Sequence, residues 1–157
     1  MSTQAIGAAA AGTAILGGGG ATIAYAAGAF DPTTYFYKAN EDSEFKNTKE
    51  YIGDKPDQVK AWLIDNTKEK TYKGNLKTKL ESGMDLRGIR DKPSTERINK
   101  LSTPNTLAQE EAKDIYDYTK EWCEFKKGLA YDKEKNNDDF ENFKTVCFVN
   151  KIPKATQ

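Results

Sequence analysis

Histidine is absent from this chain of 157 residues. That removes the most common general base, the catalytic triads built on it, and histidine-ligated zinc. Enzymes built on carboxylates, lysine or cysteine are untouched by the absence. Cysteine is scarce, with only Cys123 and Cys147. Two thiolates cannot by themselves make a cysteine-only zinc site. An even pair fits one disulfide if the domain lies outside the cytosol, and two buried thiols if it lies inside. No glycine-rich phosphate loop leads into a GK[ST] sequence.

Charge is missing from residues 1–30, so all 24 basic and 24 acidic residues fall in 31–157. There the two signs are interleaved and balance to zero. Neither a basic block nor an acidic tail is present, and no nucleic-acid partner is expected. Hydrophobic residues are also few in this body, 40 of 127. That composition predicts a thin core.

The uncharged start is long enough to cross a bilayer. A helix over residues 5–30 extends about 39 Å, against a hydrocarbon layer of about 30 Å. Asp31-Pro32 supplies a polar stop and a helix breaker. Tyr25 and the run Tyr35-Phe36-Tyr37 suit a membrane interface. Gly17 to Gly20 weaken helix propensity, by about 1 kcal/mol each relative to alanine. Gly20, Ala24 and Gly28 form a stripe of small residues along which two such helices can approach, or a chance result of composition. We read residues 1–30 as an uncleaved anchor, with the lipid bilayer as partner through residues 5–30. A cleaved signal peptide and a disordered tail are the alternatives. Lys38, Lys46 and Lys49 follow the segment and weakly favour a cytoplasmic body.

Beyond it the pattern predicts a charged linker over 31–55 and a small, mainly α domain over 56–157. A first helix starts near Pro56, with Val59, Trp62 and Leu63 on one face. Gly74 separates it from a second helix carrying Leu76 and Leu80, closed by Gly83. Met84 to Lys92 reads as a loop or short strand. Ser94 caps a helix with Ile98 and Leu101, which Pro104 ends. Thr106 and Gln109 match a capping box. It opens a long helix bearing Ala108, Ala112, Ile115, Thr119, Trp122 and Lys126, widened by Tyr118 and Phe125 and stopped by Gly128. Residues 129–137 read as a polar loop. Asp138 to Glu141 open a last helix with Phe140, Phe143, Lys144 and Cys147 on one face. A strand over Thr145 to Val149 is the alternative there. The two last helices form a hairpin.

Few constellations carry chemistry. Asp132, Glu134, Asn136 and Asp138 alternate like calcium-loop ligands. However, Asn137 and Phe143 stand where such a loop needs glycine and glutamate. The adjacent carboxylates Glu110/Glu111 and Asp138/Asp139 point apart on a helix. No catalytic, cofactor or metal residue is assigned, and an enzyme is the least favoured reading. Trp62 and Trp122 are read as core aromatics, with an exposed binding anchor as the alternative. Lys120, Lys126 and Lys127 are placed to lower the Cys123 thiol pKa. With no histidine as base, a structural role for Cys123 is favoured. A disulfide to Cys147 is expected if the loop between the helices folds back or the last helix starts late. Closing that loop is worth about 3 kcal/mol on the chain-entropy model. Two separate buried thiols remain the alternative.

The layout resembles a family of paralogous small proteins from hemotropic mycoplasmas. The Gly/Ala-rich start, the Lys/Glu/Asp/Asn-rich body and Lys120-Glu121-Trp122-Cys123 carry the likeness. Phe140-Glu141-Asn142-Phe143-Lys144-Thr145-Val146-Cys147 resembles a second copy of that element, with Val146 in place of the usual tryptophan. The likeness covers the start and residues 106–150 best. It implies a surface-exposed domain on a wall-less cell, with host or surface proteins as partners and no catalytic residue to carry over. Trp122, Cys123 and Cys147 carry over as positions that define the fold. The expectation is therefore a single-pass membrane protein with an outward C-terminal domain. A membrane-tethered intracellular or a secreted helical interaction domain is the alternative. No oligomeric state follows from the pattern.

Overall fold

The computed structural model describes residues 33–65, 67–86, 88–102 and 107–152. The segment 1–30, the Asp31-Pro32 stop, Pro104 and the Thr106 cap fall outside the described residues. Among those described, no helix is long and apolar enough to cross a membrane. The body is mainly helical, with seven helices and two short strands among the described residues.

Among the described residues, the expected linker carries core elements. Helix α1 (Tyr35–Glu41) is capped by Thr34, whose hydroxyl accepts from the Tyr37 N–H. Asp42 ends it and starts α2 (Ser43–Thr48), its carboxylate accepting from the Glu44 and Phe45 N–H groups. Strand β1 (Lys49–Tyr51) and a 3-10 turn (Ile52–Asp54) follow. Tyr35, Ala39, Tyr51 and Ile52 are all buried. A linker reading rests on the high charge of 38–50. The few apolar side chains there are spaced to face inward, and the charges ring them. The same finding corrects the interfacial reading of Tyr35, which is 0% exposed, whereas Tyr37 is 39% exposed.

Helix α3 (Pro56–Ile64) starts with proline in its first turn and buries Val59 and Leu63. Helix α4 (Lys70–Ser82) begins from Glu69 at φ 43°, a left-handed start for a residue with a side chain. Gly74 sits inside α4 rather than ahead of it. Burial of Tyr72, Leu76 and Leu80 along one face outweighs the cost of about 1 kcal/mol for one helical glycine. Gly83 closes the helix as expected, its N–H donating to the Lys79 carbonyl at 2.8 Å. Ser94 caps α5 (Thr95–Lys100), also as expected, and Ile98 and Leu101 are buried.

Helix α6 (Gln109–Lys127) starts slightly later than the sequence predicts, with Ala108 in the capping position. The Glu111 carboxylate accepts from the Ala108 N–H at 3.0 Å, so the reciprocal half of a capping box forms here. Gly128 ends the helix. Helix α7 (Lys133–Cys147) starts earlier than expected, because Asp132 caps it. The Asn136 side chain accepts from the Asp132 N–H and donates to the Ala130 carbonyl. Asn136 itself leaves helical geometry, at φ −138°. The expected nine-residue loop is thus mostly a kinked first turn. After Cys147 the chain becomes strand β2 (Phe148–Asn150), which pairs antiparallel with β1 in the register Tyr51 to Phe148. Both readings of 145–149 are therefore partly realised: helix to Cys147, then strand.

Packing centres on α6 and α7, which touch each other while α3 lies on α6 and α4 on α7. The N-terminal arm closes the remaining side through β1–β2 and a single bridge from Thr34 to Ala130. Tyr35 packs edge-on to Phe140, with centroids 5.3 Å apart. Phe36, Phe45, Tyr51 and Phe143 gather round Phe148.

If the arm is core, neighbouring tyrosines must behave oppositely. Tyr35→Ala is expected to destabilise the domain by about 3–5 kcal/mol, as large aromatic truncations in cores do. Tyr37→Ala is expected to change it by no more than about 0.5 kcal/mol. Urea unfolding of a chain beginning at Thr33, followed by circular dichroism, checks both; equal effects would contradict the placement.

Candidate functional site

The structure brings Cys123 and Cys147 together. Cys123 lies one helical turn before the end of α6, and Cys147 is the last residue of α7. Their Cα atoms are 5.6 Å apart, the sulfurs are bonded, and both residues are fully buried. The bond closes a stretch of 24 residues and fixes the point where α7 turns into β2. Lysines near Cys123 are committed elsewhere. Lys126 holds Asp139 at 2.8 Å, and Lys127 pairs with Glu124. Their charges serve ion pairs, and a bonded sulfur offers no thiolate for them to stabilise.

Trp122 is 1% exposed, beside the disulfide in sequence. Lys126 Nζ stands 5.4 Å from the Trp122 ring centroid. The Trp122 indole N–H is buried without an acceptor among the described residues, a defect worth about 1–3 kcal/mol in a folded core. Trp62, on α3, is only partly buried and packs against the core edge. Phe125, expected on the buried face of α6, is 51% exposed.

Five tyrosine hydroxyls tie the surrounding elements to this centre. Tyr35 donates to Asp139 at 3.0 Å, and Tyr51 to Glu124 at 2.9 Å. Tyr72 donates to the Val146 carbonyl at 3.1 Å, next to Cys147. From α6, Tyr116 donates to the Ile52 carbonyl and Tyr118 to the Met84 carbonyl. Burial raises all five above the ordinary tyrosine value, with Tyr116 pushed up to about 12.

The other carboxylates turn to separate partners. Glu111 takes the Lys100 ammonium at 2.6 Å, which holds its carboxyl below the usual range. Glu110 is exposed, as is Asp138, while Asp139 faces inward to Tyr35 and Lys126. Within the calcium-like run, Asp132 caps α7 and pairs with Lys135 at 2.7 Å, and Asn136 is bonded to the backbone of the turn. No group of three or more potential metal ligands converges among the described residues.

Sequence reasoning missed an ion-pair strip on α6. Arg90 reaches Glu121 at 2.8 Å and Asp114 at 3.4 Å, and Arg97 reaches Asp114 at 2.7 Å. The available signal was the placing of the only three arginines, at 87, 90 and 97. Partly exposed pairs of this kind are worth about 0–1 kcal/mol each. The strip therefore sets where the 88–102 segment lies on α6 more than how firmly the domain holds. A buried lysine was also missed. Lys73 donates to the Asp65 carbonyl at 2.6 Å, and its burial pulls its pKa down.

Comparison with family models, curated proteins and solved structures gives no match.

Two outcomes follow for stability. Replacing both cysteines with alanine is expected to cost about 3 kcal/mol in urea unfolding, the entropy released when a loop of this length opens. An unchanged midpoint would contradict a stabilising bond. The tyrosines act at high pH. Each holds its proton more tightly folded than unfolded, where its pKa is about 10. Their contribution is whole below about pH 10 and falls as pH rises further, because the unfolded chain then binds fewer protons. Of the eight tyrosines, these five are expected to ionise only together with loss of helix, as a distinct step in tyrosinate absorbance. Ionisation of all eight near pH 10 with the helices intact would contradict it.

Proposed function

We propose that this chain is a membrane-anchored surface protein whose helical domain lies outside the cytosol and works by binding rather than catalysis. The observation that carries the reading is the bond between Cys123 and Cys147. Disulfides form and persist in oxidising surroundings and are rare in the cytosol. A thin-cored domain gains most from such a bond where no reductant removes it. The uncharged run of residues 1–30 supports the anchor, since it has the length and neutrality that a single span requires. The resemblance to surface proteins of hemotropic mycoplasmas points the same way.

A binding role fits the surface better than a chemical one. Glu111, Asp139 and Asp132 each hold a separate lysine rather than sharing a focus. Partners are proteins of a host or of the cell's own surface. The lysine bias after the anchor favours the opposite topology. Two of those lysines have structural roles in the folded arm: Lys38 pairs with Glu41, and Lys49 donates to Asn150 across the strands.

Protease treatment of intact cells distinguishes the topologies. An outward domain is degraded before lysis while a cytosolic marker survives. Protection until lysis would contradict the proposal and favour an intracellular tethered domain.

A further inference from the structure

The position of Thr33 says which surface of the body must lie nearest the anchor. Thr33 is held at the turn between α6 and α7. Its carbonyl accepts from the Tyr131 N–H at 2.6 Å, and the Tyr35 N–H donates to the Leu129 carbonyl at 2.9 Å. Thr34 and Ala130 form the bridge between them. The uncharged run ends at Phe30. Three residues of chain span at most about 10 Å. An anchor ending there cannot stand farther than that from Thr33, which is hydrogen-bonded directly to Tyr131.

The composition of this end suits a bilayer surface. Phe125 lies one turn before Gly128 and is 51% exposed, and Tyr37, in the first turn of α1, is 39% exposed. Tyr131 lies in the turn itself, partly buried, with Lys38 Nζ 5.9 Å from its ring centroid. Aromatic side chains with one wet edge concentrate at membrane interfaces. Two of the cations at this end are paired locally, Lys38 with Glu41 at 2.5 Å and Lys135 with Asp132 at 2.7 Å. Cations already paired in this way do not require anionic lipid.

We propose that the end of the domain formed by residues 128–132 and the first turn of α1 is its membrane-facing surface, resting on zwitterionic lipid headgroups through Tyr37, Phe125 and Tyr131. The inference rests on the anchor reading above. It fixes the opposite end of α6, about 28 Å away for a helix of 19 residues, as the pole presented outward. That pole carries Glu111 with Lys100, and Asp114 with Arg97.

The test uses the full chain in phosphatidylcholine vesicles. A fluorophore is placed at exposed Ala130→Cys or at exposed Glu110→Cys, with the native disulfide left oxidised. Quenching by a nitroxide carried on the lipid headgroup is then measured. The expected result is several-fold stronger quenching at 130 than at 110, weakened when Tyr37→Ser and Phe125→Ser are combined. Equal or reversed quenching in a chain that floats with the vesicles overturns the membrane-facing surface and leaves the anchor standing. Unchanged quenching in the double variant overturns the aromatic contact. A full chain that does not float overturns the anchor reading and this surface with it.

Discussion

The bond between Cys123 and Cys147 joins the helix on which the body packs to the point where the last helix becomes a strand. Strand β2 can meet β1 only if Phe148 is held in place, and Cys147 immediately before it is fixed to α6. Through β1 the N-terminal arm is then laid across the same side, so that Tyr35 and Ile52 reach the core. The order of dependence runs from the covalent link, to the strand pair, to the arm. Opening the link therefore loosens more than the two helices it joins.

Around that link the fold uses tyrosine where a richer sequence would use leucine. Tyr35, Tyr51, Tyr72, Tyr116 and Tyr118 each bury a ring and place the hydroxyl on an acceptor from another element. A ring contributes a large apolar area, and its hydroxyl adds direction that an aliphatic side chain lacks. A body with 40 hydrophobic residues in 127 gains both packing and register from the same few positions. The unmatched Trp122 indole N–H shows where this arrangement is incomplete.

Much of the helical order was legible in the sequence because local signals set it. Pro56, Gly83, Ser94 and Gly128 begin or end helices where their chemistry predicts. The cysteine pairing was one of two readings, expected if the loop folded back or the last helix started late; α7 starts early instead, and Cys147 meets Cys123 from its last turn. What was not legible depends on contacts distant in sequence. Charged residues 38–50 resemble a linker until Tyr51 meets Phe148 and Tyr35 meets Phe140. Gly74 resembles a break until its helix is packed on α7. Helix α7 starts early because the Asn136 side chain satisfies the turn before it, a detail no periodicity carries. The ion-pair strip on α6 depended on a loop whose path the sequence did not fix.

The functional account depends on the same covalent link, since an oxidised pair supports a domain outside the cytosol and a reduced pair does not. Its position also bears on how the domain is presented, with one end of α6 beside Thr33 and the other carrying the pairs of Glu111 with Lys100 and of Asp114 with Arg97. The measurement that bears most directly on this is the thiol content of the protein in its own cells. Acid quenching, denaturation and alkylation before any reduction, followed by mass spectrometry, read it. The account expects Cys123 and Cys147 to be unmodified by the alkylating reagent until a reductant is added. Alkylation of both in the unreduced sample would contradict it.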